Sequence, residues 1–484
     1  MSPQYDLIVV GAGSGGIGAA LAAARYGIDV LLIEQASLLG GTAVTGGVSV
    51  WEMGVGGTGL PFEIYRRLAA LPHAAGIDSI GRHCLWPGER EERPYPGGES
   101  VIDPDRRYID TLQRYGARSM QQDEAFVRER WHGVPFEPFI YAQVVEGMLL
   151  ATGHCSILKG TRVSAVETRG DRVTGIKLHE GTLIEAKTCI DATGDGVIAR
   201  MCGVETLFGQ EAGSRFNEPD APEKAQMQLN GGTLIYRVTP RSTAGIDDLP
   251  GVTGNACWWA DDFPVASITH FPCGDLHINM LPTIAGIDII DMGRERAYME
   301  CQRRVFAHWH YLQTYDPEFQ RYRLHWMAPQ LGVRESKRIP GEYVLTENDL
   351  LAGISAQSHG DIITLADHAM DTHGQSTGRA GCGEMHEPYG IPFRCLIPKG
   401  MRNLLIACRA ASFSSLAASS ARLSRTMMQL GQAAGTASAL ACQLGMEVAG
   451  ISPDTLREQL RAQHVQLEHP MPPELKAYLV RDGF

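Results

Sequence analysis

The sequence predicts an α/β fold in which one parallel sheet is assembled from discontinuous segments and an α+β domain is inserted between them. Three observations carry that expectation. Strand, glycine turn, helix, strand and acid follow one another from Tyr5 to Glu34. A later run of strands ends in the turn Ala192, Thr193, Gly194, Asp195, and near residue 404 a last apolar strand leads into a helix rich in Ala, Ser and Gly.

The first block is the most specific. Leu7 to Val10 is long enough for a buried strand and too short for a helix. Gly11, Gly13 and Gly16 then give GxGxxG, with Ser14 and Gly15 inside it. The first glycine permits a tight turn, the second lets backbone approach a pyrophosphate, and the third lets the next helix pack closely on the sheet. Ala19, Ala20, Ala23 and Ala24 give that helix a small-sided face, and its N-terminus offers unpaired N–H groups and a positive dipole end. The strand Val30 to Ile33 ends in Glu34, 23 residues past Gly11, placed to accept from a ribose hydroxyl pair and to repel a 2′-phosphate. GxGxxG alone recurs by chance; with this context it marks a Rossmann-like site for a dinucleotide, FAD or NAD.

Length and composition bound the rest. At 484 residues two domains are expected, and 44% hydrophobic with 20% charged residues describes an ordinary globular chain. A net charge of −12 opposes a nucleic-acid surface, and the most basic cluster, GVRESKRIPG, itself contains an acid. No apolar run reaches the ~18 residues of a membrane span. No signal peptide is visible, and eleven scattered cysteines form no CxxC, which removes redox-pair and close-spaced zinc chemistry. A cytoplasmic protein with reduced thiols and no metal is expected.

Along the chain, glycines at 40, 41, 46, 47, 54, 56, 57 and 59 suggest flexible backbone lying against a flat ring or a phosphate. Gly54 to Gly59 fits a second bare GxGxxG, but SVWEM is a poor preceding strand. Residues 60–73 and 139–150 read as helices, with Pro-, Gly- and charge-rich loops from His83 to Arg107. VSAVE, VTGIKL and TLIEAKTCIDAT read as strands. Residues 206–384 hold four of the seven tryptophans and lose the strand–helix alternation. The expected layout is a sheet domain from 1–59, 139–205 and 385–445, a substrate-side insert at 60–138, a substrate domain at 206–384 and a helical tail at 446–484.

Taken together, the N-terminal GxGxxG with Glu34, GGTAVTGG, IDATGDG, GVRESKRI with YVLTENDL, MDTHG, YGIPFRCLIP, NLLIACRAAS and QLGQAAGTASALA resemble the FAD-dependent oxidoreductase family, related in cofactor fold to the fumarate reductase and succinate dehydrogenase flavoprotein group. The resemblance implies FAD as cofactor, a small-molecule substrate and an electron acceptor that the sequence does not name. It implies cofactor contacts from Gly11, Gly13, Ser14, Gly15, Gly16, Glu34, Gln35, Gly40, Gly41, Thr42, Gly46, Gly47, Val163, Ala192, Thr193, Gly194, Asp195, Arg409, Gln432 and Ala433. Where the family usually has Gly-Arg after the last strand, this chain has Cys408-Arg409. A homo-oligomer is compatible with the sequence.

A flavin dehydrogenase needs a base and groups that offset negative charge. His368 and His373 precede the returning cofactor segment, with Asp371 as an orienting carboxylate; the plain alternative is a pair of hydrogen-bonded loop histidines. Arg334 and Arg338 flank Glu335, as a carboxylate clamp, a flavin counter-charge or an internal ion pair. Tyr343, Arg394, His270 and His277 are weaker candidates. The expected reaction is hydride transfer from a small organic substrate to flavin N5. A flavin monooxygenase or halogenase, and an FAD-carrying electron-transfer subunit, are the rival readings.

Overall fold

The structure, a computed structural model, describes residues 4–82, 97–116, 123–252, 257–258, 266–280, 282–372 and 382–481. Its architecture is α/β. Five parallel strands run in the spatial order Cys155–Leu158, Val30–Ile33, Gln4–Val10, Leu183–Asp191, Leu404–Ile406, so segments far apart in sequence become neighbours. The first strand begins at Gln4, before the apolar run, because backbone pairing to Glu185 and Ala186 needs no apolar side chain. Leu183–Asp191 is long enough to pair at its start with antiparallel Arg172–Leu178 and at its end with Leu404–Ile406. Val163–Arg169 pairs with Arg172–Leu178 to complete the sheet.

Helices Ser14–Arg25 and Ser424–Leu444 cover this sheet and touch backbone to backbone. A Cβ on Gly431 would stand 1.9 Å from Gly15 O, one on Gly435 2.1 Å from Ala19 O, and one on Gly18 2.2 Å from Met428 O. The small residues of the second helix are therefore required by packing along most of its length, and only its first turn approaches the cavity described below. Two further helices, Pro453–Ala462 and Pro473–Arg481, follow. Among the described residues, no helix is long and apolar enough to cross a membrane.

The second sheet has six strands in the order Tyr322–Met327, Tyr236–Pro240, Leu276–Met280, Ala266–His270, Glu99–Ile102, Asp78–Ile80. Strands from before residue 138 and after residue 206 thus share one sheet. It is mostly antiparallel, and helix Arg294–Tyr315 packs Cys301, Val305, Trp309 and Leu312 into its apolar face. The two sheets stand on either side of one large cavity.

Candidate active site

Strands of the parallel sheet end at the cavity, and their sequences explain what they present there. Gly11 turns the chain at φ +96°, where a Cβ would lie 2.5 Å from Ala192 O. A Cβ on Gly16 would fall 1.7 Å from Gly11 O, and one on Gly15 1.8 Å from Ala407 O. Gly13 differs: a Cβ there would meet nothing within 4 Å, because it faces the cavity. The following helix starts with no side-chain cap and no acid in its first turn, so its leading N–H groups are left for a ligand. Glu34 is fixed by Ala12 N–H at 2.7 Å and Ala36 N–H at 2.8 Å.

Asp191 shapes the other predicted turn. Its buried carboxylate accepts from Thr193 N and Oγ1, and from the N–H groups of Ile198 and Ala199, tying the turn to the short helix Val197–Met201. Asp195 beyond it bridges to Arg409 at 2.8 Å, to Ser336 at 2.6 Å, and to Arg294 at the start of the second lobe's long helix. Burial raises its pKa, but Arg409, Ser336 and Arg294 outweigh that and hold it at about 2.

The cavity measures about 1730 Å³. That exceeds the roughly 300–1,000 Å³ of an ordinary ligand pocket. Gly11, Gly13, Ser14, Gly15, Glu34, Gln35, Gly41, Thr42, Val163, Ala192, Thr193, Gly194, Asp195 and Arg409 all line it. Gly16, Gly40, Gly46 and Gly47 support those walls from behind; the Gly47 carbonyl accepts from His277 Nε2 at 2.7 Å. Gln432 and Ala433 are buried away from the cavity, where Gln432 accepts from Leu60 N–H and donates to Gln463. Four polar atoms on cavity-lining residues, Trp131 Nε1, Asn279 Oδ1, Arg409 Nε and Arg422 Nε, have no hydrogen-bond partner among the described residues.

Charged side chains from both lobes converge elsewhere on the same cavity. Glu52 Oε2 lies 2.9 Å from His368 Nε2 and 3.0 Å from Arg114 Nη1, while Oε1 has no partner among the described residues. Burial pushes the Glu52 pKa up, but His368, Arg114 and Arg422 together hold it well below the usual carboxylate range. His368 Nδ1 faces Ala369 O at 2.8 Å, so each ring nitrogen has an oxygen partner. Asp78 accepts from Gly133 N–H at 2.7 Å, and its pKa is pushed up to about 6 by burial and by Glu52 against that hydrogen bond. Buried His277 is pulled down to about 4, first by burial.

The two arginines of GVRESKRI separate. Arg334 reaches the cavity, whereas Arg338 is fully buried outside it, held by Glu211 at 2.9 Å and flanked by Glu335 at 3.7 Å. Of the three roles expected for Arg338, this placement fits the internal ion pair, since its guanidinium is turned to Glu211 and Glu335 and not to the cavity. His373 lies outside the described residues. Asp371 lines the cavity beside Arg422. Tyr343 and Arg394 stand elsewhere, bonded to Asp349 and Asp361, and His270 is paired to Glu99 at 2.7 Å. The second GxGxxG is a packing device: Cβ atoms on Gly54, Gly57 and Gly59 would collide with Asp367, Arg425 and Gln432.

Glu52, Arg114, Asp78 and Arg422 were not singled out from sequence. One signal existed, an acid within the glycine-rich run; Arg422 gave none, since it sits between the C-terminus of helix Ser415–Ala421, which favours a cation, and the start of the next helix, which does not.

The sequence profile of the FAD dependent oxidoreductase family matches residues 6–460. The chain belongs to this family. Its cofactor is FAD, and the family member is an oxidoreductase. It is 49% identical over 47 residues to 4-oxocyclohexanecarboxylate 2-dehydrogenase of Sinomonas cyclohexanicum, covering 10% of this chain and 8% of that one. It is 29% identical over 210 residues to digeranylgeranylglycerophospholipid reductase 2 of Methanococcoides burtonii (strain DSM 6242 / NBRC 107633 / OCM 468 / ACE-M), covering 43% and 42%. The matches thus span less than half the length of these relatives. Among solved structures, the family member is similar to a geranylgeranyl bacteriochlorophyll reductase-like protein from Thermoplasma acidophilum, with TM-score 0.45, 13% identity and coverage of 99% and 96%. It is also similar to p-nitrophenol 4-monooxygenase from Pseudomonas putida DLL-E4, with TM-score 0.42, 12% identity and coverage of 100% and 92%.

Proposed function

We propose that this flavoenzyme is a dehydrogenase acting on a small organic substrate, and that Glu52, held by His368 and Arg114, is its proton-accepting group. Gly11, Gly13, Ser14, Gly15 and Glu34 would hold FAD from the first block, with Thr42, Thr193, Gly194 and Arg409 around it. The fit rests on the open space at Gly13, the uncapped helix start and the unpartnered Arg409 Nε. FAD, when bound, supplies the acceptor for the hydride and its two electrons.

The observation that carries the proposal is the asymmetry of the Glu52 carboxylate. Oε2 is engaged by Arg114 and His368, which fixes the group and its rotamer; Oε1 is left for a substrate hydroxyl or amine. The substrate's X–H proton then goes to Oε1 as the adjacent C–H leaves with its electron pair. Arg114 is itself clamped by Glu384 at 2.8 Å and lies over the Trp131 ring, so the carboxylate is held on a stiff support. The dehydrogenase named among the relatives supports this reaction class.

The test is anaerobic bleaching of the purified yellow protein by a panel of alcohols, amines and saturated acids without NAD(P)H. Bleaching by a panel member supports the dehydrogenase. Turnover only with NADPH and oxygen would replace it with a monooxygenase, and inertness with a co-purifying chain would favour an electron-transfer subunit.

A further inference from the structure

We infer that Arg334 and Arg422 form a binding site for a substrate carboxylate. The inference deepens the dehydrogenase reading and names the substrate class as a small monocarboxylate. Arg334 is half-buried, and its Nη1 donates only to neutral acceptors, Gly231 O and Thr233 Oγ1, both at 2.8 Å. Among the described residues its Nε and Nη2 make no hydrogen bond and no carboxylate lies within ion-pair distance. The side chain lines the cavity, so those donors open onto it.

Arg422 arrives from the other side, just before the helix Ser424–Leu444. Its Nη2 donates to Asp371 O at 3.2 Å, the Asp371 carboxylate is 3.7 Å away, and its buried Nε has no partner among the described residues. Burial, and then the nearby charge of Arg422, pull the Arg334 pKa down to about 10. Asp371 and Glu52 offset part of the charge of the two guanidinium groups, but the Arg334 Nε and Nη2 donors stay unspent until a further acceptor joins them. The planar fork of each group suits a carboxylate.

Asp371 and Glu52 define which anion fits. Both residues line the cavity and both act on Arg334 through their charge, so a phosphate dianion would be placed among negative charges, while a monoanion shared by two guanidinium groups is tolerated. Glu52 lines the same cavity and acts on Arg334 through its charge, so an anchored acid could present its X–H group to the Glu52 carboxylate.

The experiment titrates the FAD-loaded protein with benzoate, benzamide, cyclohexanecarboxylate, cyclohexanecarboxamide and inorganic phosphate, reading the flavin absorption spectrum. The carboxylates should perturb the spectrum with affinities at least about tenfold above their amides and above phosphate. Arg334→Met and Arg422→Met should each weaken carboxylate binding about tenfold or more with FAD content retained, and Arg334→Lys should recover part of the loss. Equal binding of acid and amide, or wild-type carboxylate affinity in a flavin-loaded Arg334→Met, overturns the inference. So does a variant set that alters only flavin retention or potential, since the arginines would then serve the cofactor. Should Arg334→Met fail to fold, Arg422→Met and Arg334→Lys decide. Arginine-dependent carboxylate binding with no bleaching by any acid would leave this site standing and remove the dehydrogenase reading.

Discussion

The glycine-lined and charge-lined parts of the cavity are built by opposite means. The first is backbone: Gly11, Gly13, Ser14 and Gly15 are consecutive or nearly so, and what matters is the absence of side chains. The second is side chains: Glu52, Arg114, Arg334, His368 and Arg422 come from five separate stretches and meet only after both lobes have formed. A backbone site is carried by the geometry of one strand, turn and helix, so its residues must be contiguous. A side-chain site requires only that atoms converge, so its residues are free to be scattered.

The largest effects should come from substitutions that separate fold from cofactor within the glycine block. Gly16→Ala places a methyl group 1.7 Å from a backbone oxygen, so the sheet and helix must part. It should yield little folded protein and no bound FAD. Gly13→Ala meets no protein atom within 4 Å, and should give a stable apoprotein that has lost FAD. The check is the FAD-to-protein ratio alongside the thermal transition; a Gly13→Ala protein that retains wild-type FAD would show that the cofactor does not approach there.

At the charged side of the comparison, Glu52→Gln should leave FAD content unchanged and lower turnover about 10²-fold or more, the range for loss of general acid–base catalysis. The neutral amide no longer matches His368 and Arg114, so His368→Gln should be less than additive with it. Double-mutant kinetics measure this, and strict additivity would mean that the two do not act as a unit.

Asp78 gives an intermediate effect with a defined pH sense. Its folded pKa of about 6 lies above the unfolded value near ~3.9, so the folded state prefers the protonated form. Stability is fully present below about pH 4 and is lost as pH rises through about 6. Asp78→Asn keeps an acceptor for Gly133 N–H and removes the charge, so its advantage over wild type should grow from nothing near pH 4 to about 1–3 kcal/mol near pH 7. Thermal melts across that interval test it, and a constant difference between the two proteins would count against the assignment.

How much of this was legible in the sequence follows from the same contrast. The GxGxxG context, Glu34 and the ATGD turn could be read because each is a local rule with a local cause. His368 and Arg334 were reachable through the positions of their motifs, and both do line the cavity. The family resemblance put Gln432 and Ala433 beside the cofactor; the small residues around them also answer to a neighbouring helix backbone, as the Gly431 and Gly435 approaches show. Arg338 and Arg334 could not be told apart four residues apart, since one is turned toward Glu211 and the other toward the cavity. Glu52 and Arg114 acquire their roles only through a contact across 62 residues of chain.

The smallest expected effect lies where the two lobes meet above the ATGD turn. Arg294 opens the second lobe's long helix and reaches Asp195, but 67% of its side chain is exposed, while Arg409 makes the better shielded contact to the same carboxylate with 18% exposed. An exposed pair is weakened by solvent and by the entropy of holding a long side chain, so Arg294→Gln should change stability by less than ~1 kcal/mol. Arg409→Gln removes the partner that also lines the cavity and should weaken FAD retention as well. Measuring both variants at low and high salt separates the cases: the Arg294 effect should vanish with salt, and the Arg409 effect should persist. If Arg294→Gln instead releases FAD, the lobe-to-lobe bridge is part of the cofactor's enclosure, and the division between a backbone-built cofactor site and a side-chain-built reactant site would have to be redrawn at Asp195.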